Sequence, residues 1–113
     1  MLGLSAATRI YLYQGAADMR RSFAGLSGLV RSGLGGDPQS GSWFVFVNRR
    51  RTLVKLLYWA GDGFVIVAKK LEVGTYRLPS APSPSAEIDY RHLMLLLEGV
   101  APRRLHRRYR PGD

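Results

Sequence analysis

Trp43-Phe44-Val45-Phe46-Val47, then Thr52 to Trp59, then Phe64 to Leu71, is the stretch that decides the fold of this chain. Each piece is rich in β-branched or aromatic residues, which suit a pleated, half-buried surface, so each reads as a strand. The links between them, Asn48 to Arg51 and Ala60-Gly61-Asp62-Gly63, are short. Short links join antiparallel neighbours, because a parallel crossover needs a dozen residues or more. The three strands therefore form a meander, and Thr75 to Leu78, after Gly74, is expected to extend it.

Upstream, Arg9 to Tyr13 has the same β character and ends at the turn signal Gln14-Gly15. Met19, Phe23, Leu26 and Val30 then recur at the period of one helical face. This predicts a helix from Met19 to Leu34, with Asp18 as its cap and a stop near Gly33. Downstream, Pro79 to Ser85 alternates proline with small residues and reads as an extended connector. Asp89 to Glu98 carries Leu93, Leu96 and Leu97 on one face, which predicts a short carboxy-terminal helix capped by Asp89 and stopped by Gly99. The expected fold is α+β: an antiparallel meander of four to five strands, one helix packed on a face, and the short final helix. Residues 1–102 should form a single domain. Residues 103–113, with five arginines between Arg103 and Arg110, read as a basic, flexible tail.

A chain of 113 residues fits one ordinary domain, and its 46% hydrophobic content is that of a folding protein. The absence of cysteine excludes disulfides, thiolate zinc sites and cysteine nucleophiles, and the two histidines, His92 and His106, leave little for a metal site. No signal-peptide pattern follows Met1, and no apolar run approaches the roughly 18 residues of a membrane span, so a cytoplasmic protein with no membrane partner is expected.

The formal charge is +9, from 17 basic and 8 acidic residues, and a surface so positive attracts polyanions. Residues 49–77 hold the largest excess, seven basic against two acidic. If Trp59 faces Phe64 across the Gly-Asp-Gly turn, Lys55 pairs with Ala68 and Leu53 with Lys70. Lys69 and Lys70 then arrive beside Arg49, Arg50 and Arg51 at one end of the sheet, with Asp62 at the other. Arginine forks and lysine charges gathered in this way suit phosphate. The candidate nucleic-acid-binding residues are Arg49, Arg50, Arg51, Lys55, Lys69 and Lys70, with Arg20 and Arg21 as contributors. The same arginines also suit a solvated hairpin tip, and the lysines a protected strand end. Trp43, Phe44, Phe46, Tyr58, Trp59, Phe64 and Tyr76 offer either base-stacking or core, and core is the commoner use in a small sheet, with Trp59 the expected exposed exception.

Catalysis has little to build on. Asp18, Asp37, Asp62, Glu72, Glu87, Asp89, Glu98 and Asp113 form no spaced set for two-metal chemistry, and neither histidine has a serine motif near it. Gly33-Leu34-Gly35-Gly36 lacks the lysine of a phosphate loop. No catalytic residue, metal or cofactor is expected.

Asp18-Met19-Arg20-Arg21-Ser22-Phe23-Ala24-Gly25-Leu26 resembles the accessory proteins called TnpB, the second-reading-frame products of insertion-sequence-66 transposons. The likeness continues through Asp37-Pro38-Gln39-Ser40-Gly41, Phe44-Val45-Phe46, Asn48-Arg49-Arg50, Lys55-Leu56-Leu57-Tyr58-Trp59, Gly61-Asp62-Gly63-Phe64, Lys69-Lys70-Leu71-Glu72-Val73-Gly74 and Leu95-Leu96-Leu97-Glu98-Gly99. Ala60 stands where that family often has aspartate, and Leu78 where an aromatic is usual. The resemblance implies a non-catalytic helper in bacterial DNA transposition, encoded beside a separate transposase that carries the catalytic carboxylates. Its expected partners are DNA at the transposon ends and the transposase or other proteins of the same element. The alternative is a protein-interaction module that docks onto the transposase without touching nucleic acid.

Overall fold

The computed structural model describes residues 4, 5, 7–78 and 86–99; the connector expected at 79–85 and the tail at 103–113 lie outside them. The elements are β1 (Ile10–Leu12), α1 (Phe23–Leu29) continued by a π-helical turn (Val30–Leu34), β2 (Trp43–Val47), β3 (Leu53–Trp59), β4 (Phe64–Lys70), β5 (Glu87–Ile88) and α2 (Tyr90–Glu98). The five strands make one sheet in the order β4-β3-β2-β1-β5. The α+β class and the meander stand as read from the sequence. The ladder between β3 and β4 has the expected register: Trp59 faces Phe64, Lys55 faces Ala68, and Leu53 faces Lys70. One pair departs from antiparallel order. β1 runs parallel to β2, with Ile10 against Trp43, because α1 lies between them and returns the chain in the same direction.

Every residue of β2 is buried, since the strand is central and both faces of the sheet are covered. One face packs Val45, Val47, Val54, Leu56 and the Trp43–Tyr58 pair against Leu93 and Leu96 of α2. The Trp43 and Tyr58 rings stack across the strands, 4.2 Å apart and 5° from parallel. The other face packs Phe44, Phe46 and Leu57 against Leu26 of α1 and Val30 of the π-helical turn. The second helix therefore covers the face that the first leaves open, giving three layers.

Three expectations are corrected. The first helix begins at Phe23, not Met19; its π-helical continuation ends at Leu34, as expected, with a left-handed Gly35 behind it. Asp18 does not cap it: the carboxylate accepts the Arg20 N–H at 3.0 Å and closes a local turn. The Met19 and Arg21 carbonyls, which a helix would bond to residues four further on, accept hydrogen bonds from the Lys55 ammonium at 2.8 and 3.0 Å instead. Thr75 to Leu78 is not a strand; it makes a single bridge at Thr75. Tyr76 anchors this segment, its N–H donating to Arg51 C=O and its hydroxyl to Lys69 C=O. The second helix is as expected, with Asp89 accepting the His92 N–H at 2.7 Å and Gly99 as its stop. Gly99 has φ +72°, a conformation that favours glycine, and a Cβ there would meet Leu71 Cδ1 at 2.8 Å.

Candidate nucleic-acid interface

Asn48 builds the loop that carries the arginines. Its side-chain carbonyl accepts the Thr52 and Leu53 N–H groups at 2.8 and 3.0 Å, and its amide donates to the Thr52 hydroxyl. The backbone closes the turn through Arg51 N–H to Asn48 C=O. With its polar groups satisfied within the loop, the side chains of Arg49, Arg50 and Arg51 are left in solvent. Arg51 has φ +59°, the left-handed region, where a residue bearing a β-carbon is held at a cost of roughly 1–2 kcal/mol.

The ladder brings further cations to this end. Lys70 faces Leu53, the first residue of β3, and Leu71 N–H donates to Thr52 C=O. Because Tyr76 N–H donates to Arg51 C=O at 2.7 Å, the exposed Arg77 is held beside the same loop. Arg77 is absent from the sequence-based set: only the docking of Tyr76 positions it, and nothing local in the sequence reports that contact.

Strand alternation separates the lysines. Lys55 and Lys70 belong to the α1 face, and Lys69 to the α2 face. The Lys69 ammonium donates to Leu97 C=O at 2.8 Å, meeting the end of α2 where a helix presents unbonded carbonyls and partial negative charge. The Lys55 ammonium is held by Met19 and Arg21, as above. Lys55 and Lys69 thus fasten the α1 and α2 layers to the sheet. Through Lys55, the exposed Arg21 is placed over the same end of β3 as Lys70. Arg20 is engaged with Asp18, its Nη2 2.8 Å from Oδ2, and this contact lowers the Asp18 carboxyl to about 2 and raises the guanidinium.

Arg21, Arg49, Arg50, Arg51, Lys70 and Arg77 enter none of the ion pairs formed among the described residues, which join Arg9 to Glu87, Arg20 to Asp18 and His92 to Asp89. Asp37 accepts the Gln39 N–H, and Asp62 lies exposed in the turn at the opposite end of the hairpin. Among the described residues no group of three or more His, Asp or Glu side chains could hold a metal ion, and no helix is long and apolar enough to cross a membrane.

Of the aromatic set, Trp43, Phe44, Phe46, Tyr58 and Tyr76 are buried. Trp59 is only partly exposed and meets Phe64 edge to face at 4.9 Å, at the Asp62 end. The cationic end therefore offers charge without any of these rings to stack on a base.

Residues 8–107, nearly the whole chain, match the family described as IS66 Orf2 like protein. The chain belongs to that family. Two relatives in Sinorhizobium fredii (strain NBRC 101917 / NGR234), the uncharacterized proteins y4jC and y4hO, are each 32% identical to this IS66 Orf2-like chain. The first aligns over 96% of the chain and 92% of the relative, the second over 98% and 96%. No solved structure matches. IS66 Orf2-like membership makes this a transposition-associated accessory protein.

Proposed function

We propose that this IS66 Orf2-like protein is a non-catalytic accessory factor that grips duplex DNA of its transposon through the backbone. The grip consists of Arg49, Arg50 and Arg51 with Lys70, Arg21 and Arg77. Lys55, Lys69 and Arg20 hold the supporting backbone in place. The observation that carries the reading is the meeting of cations from separate chain segments at one end of the sheet, none of them joined to an acid among the described residues. Guanidinium groups bind phosphate oxygens in pairs, and lysine adds a point charge. Trp43, Phe44, Phe46, Tyr58 and Tyr76 are buried and withheld from bases, which favours duplex over single strands, whose binding draws on base stacking. Phosphate contacts position a protein without reading sequence, so specificity falls to partners such as the transposase. The protein works in the cytoplasm and needs no cofactor.

Fluorescence anisotropy with transposon-end duplex and the matching single strand, at two salt concentrations, tests this. Duplex is expected to bind more tightly, and about six phosphate contacts lose roughly a thousandfold in affinity between about 50 and 200 mM salt. Replacing Arg49, Arg50 and Arg51 together by alanine should flatten the log–log salt slope by about 2.7. An unchanged slope removes the loop from the interface.

A second reading, docking onto the transposase, draws on α2, where Tyr90 and Leu95 are 42% and 55% exposed. Pull-down with transposase after nuclease treatment separates the two: capture that persists without nucleic acid and survives the triple substitution belongs to this second surface.

A further inference from the structure

Among the described residues β4 is the outermost strand, with no strand on its far side. The bonds from Ala60 N–H to Gly63 C=O and from Leu71 N–H to Thr52 C=O fix the phase of the β3·β4 ladder. In that phase Val65, Val67 and Lys69 bond inward, and Phe64, Ile66, Ala68 and Lys70 aim their N–H and C=O groups outward. Among the described residues these outward groups meet no hydrogen-bond partner. Phe64, Val65, Ile66 and Val67 are only partly buried, so an apolar row flanks the open edge on both faces. Such an edge is a template for another strand.

We propose that the occupant is β4 of a second copy of this chain, paired antiparallel about a two-fold axis at Ile66. In this register Phe64 faces Ala68 of the second copy, a large side chain against a small one. Val65 faces Val67, Lys70 comes opposite the turn that carries Asp62, and symmetry repeats each pair. Centring the axis on Val67 instead sets Phe64 and Val65 against the two lysines. Centring it on Val65 crowds Phe64 against Ile66 and separates Asp62 from Lys70. Size and charge complementarity therefore select one register, and the edge is complementary to itself. The two cationic ends fall at opposite extremes of the joined sheet.

Sedimentation velocity of the full chain over a dilution series is expected to show conversion from 12.6 kDa to twice that mass. Asp62→Lys and Lys70→Asp should each raise the dimer dissociation constant roughly tenfold, because both symmetric pairs change together, and the double swap should restore it. Both positions are exposed, so the fold is not at stake. Hydrogen exchange should show the Ile66 and Ala68 amides gaining protection as concentration rises. A monomer at every concentration overturns the proposal. So does a dimer whose Ile66 and Ala68 amides exchange as in the monomer, or one indifferent to either charge reversal.

Discussion

Lys69 reaches the Leu97 carbonyl at the end of α2, while Lys70, the next residue, lies on the other side of the sheet and holds no partner among the described residues. Lys55 repeats the pattern of Lys69 on the α1 side, and Arg49 and Arg50 repeat that of Lys70. The contrast separates two uses of positive charge that composition lumps together. An ammonium bonded to backbone carbonyls serves the fold; a cation left in solvent beside others of its kind is free to meet a ligand. The net charge of +9 therefore overstates what a polyanion meets at this end.

Substitutions that touch one use and spare the other sharpen this division. The largest effect on stability is expected from Lys55→Met, which keeps the aliphatic stem and removes the ammonium from two carbonyls. Urea unfolding should show a loss of about 2 kcal/mol, the scale of hydrogen bonds from a charged donor. Tyr76→Phe comes next, at about 1 kcal/mol, because it deletes the bond to Lys69 C=O while leaving the ring packed. It also carries a pH signature. Burial raises the Tyr76 hydroxyl above its ordinary 10.0, so the unfolded chain loses this proton first. Stability from this group is complete below about pH 10 and is lost as pH rises through the native value, a slope that the phenylalanine variant should lack. The smallest effect has the opposite sign. Arg51→Gly relieves the left-handed strain and is expected to stabilise the protein by up to about 1 kcal/mol, while DNA affinity falls with the missing guanidinium. A variant that gained stability and bound DNA equally well would make Arg51 a structural accident.

The sequence exposed the meander because its signals are local. Gly61-Asp62-Gly63 sets the turn, and counting back from Trp59 and Phe64 gives every pair down to Leu53 and Lys70. It hid what depends on distant partners. Met19 has the spacing of a helical residue, yet its carbonyl is taken by Lys55, 36 positions away, and the helix starts late. Thr75 to Leu78 has strand composition, but a single buried tyrosine docks it. β5 has two residues, too few for any periodicity, and the parallel placement of β1 becomes visible only once α1 has covered a face. The candidate site divides likewise: the arginine loop was legible as a run of charge, while the engagement of Lys55 and Lys69 and the arrival of Arg77 were not.

The position of β1 sets a condition on biosynthesis. β2, β3 and β4 pair with near neighbours in the chain, but β1 is flanked on its second side by Glu87–Ile88, more than seventy residues later. On the ribosome, a nascent chain that has already assembled its meander still carries Ile10–Leu12 with one flank unguarded until those late residues emerge. Premature termination in the interval would leave that flank of β1 open to other chains, so truncated translation fragments are expected to aggregate more readily than the full chain.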